Sequence, residues 1–242
     1  STIAVVLLTE LIKLIISIAI YSRDNHIDKL LSEIFKNGKI LLLYFVPAFL
    51  YCLYNNLAFV NLASYDPTTY YLLLQLRVVV TGLIYEFLFR KKLTKSQWSC
   101  LILLTIGCIV KQLGSFDWNL NSIVNLNLFL ILLQVFFSCF AGVYNEYLLK
   151  DKGSQVHIMI QNVFMYIDSI LCNLIILLIT GQMKKLSEMK QLNIIFSDPK
   201  IVAVIINNAF CGIVTSIFLK RLDSILKTFA SALELVFTAV FC

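Results

Sequence analysis

Charge is scarce in this chain. Only 14% of its 242 residues are Asp, Glu, Lys or Arg, against about 25% in a soluble domain of ordinary composition. The two histidines, His26 and His157, stand in or beside connectors between apolar segments. Neither belongs to an HExxH motif or a His/Cys cluster, and no Walker loop, GxSxG or paired-Asp motif occurs, so the usual enzyme signatures are missing. There is no Asn-x-Ser/Thr sequon. The cysteines number seven, none in CxxC spacing. All lie within apolar blocks and read as small buried hydrophobes rather than disulfides or metal ligands. Strand-like alternation is lacking too, which excludes a dinucleotide-binding fold.

What fills the chain is apolar. Sixty per cent of it is hydrophobic, with a mean hydropathy of +0.86. A membrane helix needs roughly 20 predominantly apolar residues to cross a core of about 30 Å. Eight blocks meet that need: 2–21, 40–63, 67–89, 97–113, 126–149, 156–180, 201–219 and 224–242. The connector 22–39 is too short to bury a core of its own. The expectation is an all-α polytopic transmembrane bundle forming a single transmembrane domain over 1–242, with the lipid bilayer as a partner. The chain starts without Met and ends inside an apolar block, and it is read as a fragment of a longer protein.

The net charge of +6 is informative by position. The connectors alternate between two sides. One side collects Arg23, Lys29, Lys36, Lys39, Arg90, Lys91, Lys92, Lys95, Lys150, Lys152, Lys220 and Arg221; the other has Lys111, Lys184, Lys185, Lys190 and Lys200. The positive-inside rule places the richer side in the cytosol. A nucleic-acid surface is not expected, because these charges sit in short separate loops.

Pro47 lies inside the second block, as membrane helices tolerate. At the junction 64–68, Asp66 is a good N-cap and Pro67 a good first helical residue. Asp223 repeats that pattern. Superimposing Asp66 on Asp223 also aligns Leu62, Leu76, Val79 and Thr81 with Leu219, Leu233, Val236 and Thr238. The helices are five apart and so run in opposite directions, the geometry of an inverted repeat with a binding site between the repeats. Chance similarity of apolar segments is the alternative. The polar stretch 119–127 divides a first half, 1–118, from a second, 119–242.

Ionisable groups inside a bilayer cost about 2.5–3.5 kcal/mol each on insertion scales, so each requires a reason. Glu10 and Lys13, one turn apart, are expected to pair, as are Glu86 and Arg90 at i,i+4. Arg77 lies eleven residues beyond its expected N-cap, about 16 Å along a continuous helix and near the midplane. Lys227 follows Asp223 by four positions, where the helix dipole disfavours a cation and favours an anion. An ion pair of either cation with Glu146, Asp168 or Glu234 is the competing explanation. Three polar stripes recur at helical spacing: Asn162, Tyr166, Ser169 and Asn173; Asn208, Gly212 and Thr215; Ser138, Gly142 and Glu146. Tyr70 and Arg77, seven apart, share a face. Such stripes line either a watery cavity or a helix–helix interface.

Several segments together resemble the nucleotide-sugar transporter family (solute carrier family 35), in its CMP-sialic acid and UDP-galactose branch. They are Tyr54-Asn55-Asn56-Leu57-Ala58-Phe59, then Tyr65-Asp66-Pro67-Thr68-Thr69-Tyr70 with Gln75-Leu76-Arg77, then Phe140-Ala141-Gly142-Val143-Tyr144-Asn145-Glu146 and Ile225-Leu226-Lys227-Thr228-Phe229-Ala230-Ser231-Ala232. Thr9-Glu10-Leu11-Ile12-Lys13-Leu14 and the stretch 93–98 also match. The resemblance implies ten helices in two inverted five-helix repeats, eight of them visible here, and cytosolic termini. It implies exchange of a cytosolic nucleotide sugar for a lumenal nucleoside monophosphate, usually in the Golgi membrane, with the endoplasmic reticulum as an alternative. It places Asn55, Tyr70, Arg77, Asn162, Tyr166, Asp168, Ser216 and Lys227 against the nucleotide, with no cofactor, no metal and no catalytic residue. Arg77 departs from the family's Lys, keeping charge but not shape. Asp168 departs from the Ser of the sialic acid branch. A carboxylate there repels a carboxylated sugar and points to a neutral sugar on UDP, with UDP-galactose nearest in wording. An exporter of another anionic metabolite on the same fold, a membrane-embedded transferase using Glu146 or Asp168, and a non-transporting scaffold are the alternatives.

Overall fold

The structure is a computed structural model that describes residues 2–25, 27–65, 67–113, 126–179, 181, 198–227 and 230. Among the described residues nine α-helices run in chain order: α1 (Thr2–Asp24), α2 (Ile27–Lys36), α3 (Gly38–Ser64), α4 (Pro67–Leu74), α5 (Arg77–Phe89), α6 (Lys95–Leu113), α7 (Leu126–Tyr147), α8 (Ile158–Ile179) and α9 (Pro199–Arg221). A π-helical turn, Leu148–Lys152, follows α7, and a helical turn begins at Ser224. No strand occurs among the described residues.

Among the described residues five segments are long and apolar enough to cross a bilayer: Val5–Arg23, Gly38–Ser64, Asn127–Lys152, Ile158–Ile179 and Pro199–Arg221. Their outward faces carry Ile15, Leu42, Phe129, Ile179 and Phe210, each more than half exposed. Large apolar side chains at that density on a surface call for an apolar surrounding, as expected of helices long and apolar enough to cross a bilayer. The fold is a polytopic helical membrane protein.

The block 67–89 is not one helix. It breaks at Gln75–Leu76 into an eight-residue and a thirteen-residue piece. Leu76 N–H donates to Leu73 O and Val78 N–H to Gln75 O, three residues back rather than four, so the turn tightens as in a 3₁₀ helix. Of the other expected spans, 97–113 lies within α6, and most of 224–242, with Glu234, lies outside the described residues, as does Asp66.

The helices group into two compact units. The first comprises Ser1–Cys52 and Leu148–Arg221. In it α1 packs against both α8 and α9, and Ile205 is buried among Val5, Leu8, Ile12 and Ile201. Gln161 ties the unit together. Its Oε1 accepts from the Tyr44 hydroxyl at 2.7 Å, while its Nε2 donates to Gly153 O at 2.6 Å and Val156 O at 2.9 Å. Gly153 is required here, because a Cβ would stand 2.8 Å from Leu148 O.

The second unit comprises Leu53–Tyr147 and Leu222–Cys242. Here α5 packs on α6 and α7, and α4 on the same two helices. Ile131, Val135, Cys139 and Val143 of α7 are buried against Tyr70, Leu74 and Ile84. Glu86 does not pair with Arg90. Its Oε1 accepts from Leu93 N–H at 2.6 Å and Trp98 Nε1–H at 3.1 Å, which pins the α5–α6 turn. Arg90 is left-handed, with φ of 52°, and caps α5, and its side chain is exposed. Each unit draws on both sides of residue 118. Of the cysteines, Cys52, Cys139 and Cys172 are buried, whereas Cys100 and Cys211 are exposed on apolar helices.

Candidate substrate site

In the second unit Arg77, Thr81, Ser138, Cys139, Gly142, Val143, Ser224 and Lys227 line a cavity of about 90 Å³. Pockets for drug-sized ligands run from about 300 to 1,000 Å³, so this one suits a phosphate-sized group rather than a whole nucleotide sugar. Two cations face it. Among the described residues neither forms an ion pair; the salt bridge there joins Lys13 to Glu10.

Local structure explains why the cations stand where they do. The break at Gln75–Leu76 makes Arg77 the first residue of α5. Lys227 lies in the first turn after Asp223, with its N–H bonded to Asp223 O at 3.1 Å. Asp223 is the expected N-cap: its Oδ1 accepts from Leu226 N–H at 2.8 Å. Arg77 thus occupies the positive end of a helix, and Lys227 a first helical turn whose N–H groups are likewise unfavourable to a cation. A bound anion would offset both the dipoles and the side-chain charges. Half-helix N-termini aimed at anionic groups are a recurrent device in transporters built from broken helices.

Glu146 is fully buried but is not the partner of Lys227. Its Oε2 accepts from Ser224 N–H at 2.7 Å and Ser224 Oγ–H at 2.5 Å, so the carboxylate anchors the helix start that carries Lys227. Ser138 and Gly142, one turn apart on the same face of α7, line the cavity.

Tyr70 lies outside that lining, at the end of a buried hydrogen-bond chain. Asn61 Nδ2 donates to Gln134 Oε1 at 2.7 Å, and Gln134 Nε2 donates to Tyr70 Oη at 2.8 Å. Asn61 and Gln134 are fully buried. Because the phenol oxygen accepts from Gln134, its own proton is left to donate. Asn55 is half-buried on α3.

The remaining candidates belong to the first unit. Asn162 Nδ2 donates to Ser216 Oγ at 2.8 Å, joining α8 to α9. The Tyr166 ring lies under Lys13, whose Nζ is 5.1 Å from its centroid, within cation–π range. Asp168 is 94% buried and its Oδ2 has no hydrogen-bond partner among the described residues. Ser169 and Asn173 continue the buried face, with Asn173 Nδ2 donating to Ser169 O. On α9, Asn208 is exposed and Gly212 is covered by the Lys13 stem, where a Cβ would meet Lys13 Cδ at 2.9 Å. Lys13 therefore does more than pair with Glu10.

Two cations without an ion pair among the described residues thus face one cavity in a polytopic helical membrane protein. The nucleotide-sugar transporter family matches residues 1–242, and the chain belongs to that family. It is 51% identical to the UDP-galactose transporter senju of Drosophila melanogaster, over all of this chain and 71% of that one. It is 31% identical to CMP-sialic acid transporter 4 of rice (Oryza sativa subsp. indica), over 99% of this chain and 61% of the relative. CMP-sialic acid transporter 4 of Arabidopsis thaliana is 29% identical over 88% of this chain and 58% of its own length. The chain thus spans between about half and three quarters of the length of these relatives.

Proposed function

We propose that this chain is the transmembrane body of an antiporter that brings a cytosolic UDP-sugar, UDP-galactose foremost, across the Golgi membrane in exchange for lumenal UMP. The carrying observation is the cavity lined by Arg77 and Lys227 without a carboxylate partner among the described residues. UDP-sugar and UMP each carry about two negative charges near neutral pH, spread over the diphosphate of the first and held on the single phosphate of the second, and either complements it. Each ligand then offsets the two cations and favours crossing, while the empty site does not.

Tyr70 is assigned as a donor to the nucleotide, and Asn55, Asn162, Tyr166 and Ser216 as further polar contacts. Asp168, buried and with one oxygen unpartnered, is assigned to sugar selection: a carboxylate disfavours a carboxylated sugar. The 51% identity to a protein described as a UDP-galactose transporter supports the same substrate. The family supports transport rather than sugar transfer, and Glu146, tied to Ser224, is assigned to structure and not to acid–base chemistry.

The test is thermal stabilisation of the full-length protein by UMP, which reports ligand binding to the folded state. Removing a charge-assisted contact to phosphate costs about 2–5 kcal/mol, or roughly 30- to several-thousand-fold in affinity. Lys227→Ala should therefore fold and insert yet lose most of the UMP shift, and Lys227→Arg should keep part of it. A full wild-type shift in Lys227→Ala would remove the phosphate assignment.

A further inference from the structure

The connector between the first two spans holds a helix whose apolar side is only partly used. At about 100° per residue, Leu30, Ile34, Leu31 and Phe35 of α2 fall on an arc of about 140°, and Lys29, Ser32, Glu33 and Lys36 lie opposite. One edge of the arc is spent inside the first unit: α2 packs against α1 and α8, and Leu30 is only 5% exposed. The other edge is bare. Leu31 is 57% exposed and Phe35 83% exposed, four residues apart on one face. Lys29 and Lys36, on the far side, are exposed as well.

The position of α2 is set by its joint with α3. Asn37 Nδ2 donates to Glu33 O at 2.9 Å and to Glu33 Oε2 at 3.0 Å, closing α2. The N–H groups of Ile40 and Leu41 bond to Asn37 O, opening α3. A single residue thus separates α2 from a helix long and apolar enough to cross a bilayer. Exposed apolar side chains on α3 begin at Leu42, 75% exposed, about 6 Å beyond Gly38 at 1.5 Å per residue. The bare edge of α2 therefore lies next in the chain to the exposed apolar surface of a helix long and apolar enough to cross a bilayer.

We propose that α2 lies in the plane of the membrane interface, with Leu31 and Phe35 inserted among the acyl chains of the nearer leaflet. Lys29 and Lys36 stay on the water and headgroup side. The occupant of the bare face is lipid. In-plane amphipathic helices bury their apolar side about 5–10 Å into the headgroup–acyl boundary, and long lysine stems let the charge remain in water. Anchored at one end by Asn37 and at its flank by Leu30, the helix fixes the level at which α1 leaves and α3 enters the bilayer. This inference is independent of what the protein transports.

The full-length protein is reconstituted in phosphatidylcholine brominated at shallow or deep acyl positions, and tryptophan quenching is compared with the parent, which carries Trp98 and Trp118. Phe35→Trp and Leu31→Trp should each be quenched beyond the parent, more by shallow than by deep bromine, and should resist aqueous iodide. Ser32→Trp should show the reverse, quenched by iodide and not by bromolipid. Iodide quenching of Phe35→Trp and Leu31→Trp would show a helix standing in water. Quenching by neither agent would show a protein surface or a second copy covering the face. Stronger quenching by deep bromine would show a helix entering the core. Each of these three results would overturn the proposal.

Discussion

Arg77 and Lys227 each belong to a class of residue that costs about 2.5–3.5 kcal/mol to place at the centre of a bilayer. Neither recovers that cost through an ion pair among the described residues. Uncharged groups carry a similar obligation. Gln134 is fully buried in an apolar stretch, and it bonds both Asn61 and Tyr70. Gln134→Leu keeps bulk but removes the amide, leaving a buried amide and a buried phenol each without that partner. Such groups cost about 1–3 kcal/mol apiece, so the variant's thermal midpoint should fall well below the parent's. If Gln134 also positions Tyr70 for a ligand, its remaining effect on UMP affinity should vanish in a Tyr70→Phe background. Equal and additive losses in a double-mutant cycle would show that Gln134 only holds the fold. The charged residues were legible in the sequence because a membrane makes charge conspicuous. Gln134 and Asn61 carry the same signal in weaker form, an amide inside an apolar run, but spacing alone does not connect residues 73 positions apart.

Helix starts and breaks decide where those side chains point. Asp223 was readable as an N-cap, and Asp223 Oδ1 takes the N–H of Leu226. The break at Gln75–Leu76 was not readable: no Pro or Gly marks it, and leucines run through it. It arises in the tertiary structure, where Gln75 is only 2% exposed and keeps its Oε1 without a hydrogen-bond partner among the described residues. Its consequence is to move Arg77 from mid-helix to a helix start. The Glu86–Arg90 pairing failed for a related reason. Spacing at i,i+4 permits it, but a left-handed Arg90 ends the helix there and Glu86 finds the donors of Leu93 and Trp98 instead. In the same way, the connector 22–39 holds α2, whose apolar arc was present in the letters but too short to announce a helix by itself. Asp223→Ala tests whether the cap matters for function. Losing a capping side chain costs about 0.5–2 kcal/mol. The full-length variant should melt a few degrees lower and show a smaller UMP shift, because the helix start bearing Lys227 is loosened while Glu146 still holds Ser224. An unchanged UMP shift alongside a lowered midpoint would separate the cap from the binding of phosphate.

At the scale of the whole molecule, membrane residence was legible from composition, and the family from ordered motifs. The grouping into two compact units, each built from separated stretches of the chain, was not, since it depends on which helices meet. Topology is the first property to measure. Single-cysteine labelling in sealed vesicles should place Lys36 and Lys92 on the cytosolic side and Lys185 on the lumenal side. Labelling of Lys36 and Lys185 from the same side would break both the charge argument and the inverted-repeat reading. The central claim is exchange, and one experiment reaches it directly: uptake of labelled UDP-galactose by proteoliposomes containing the full-length protein. Vesicles preloaded with UMP should take up the label far faster than empty vesicles, UDP-galactose should outpace CMP-sialic acid, and Lys227→Ala should abolish the difference made by preloading. Uptake that ignores internal UMP, or that persists at full rate without Lys227, would contradict the account.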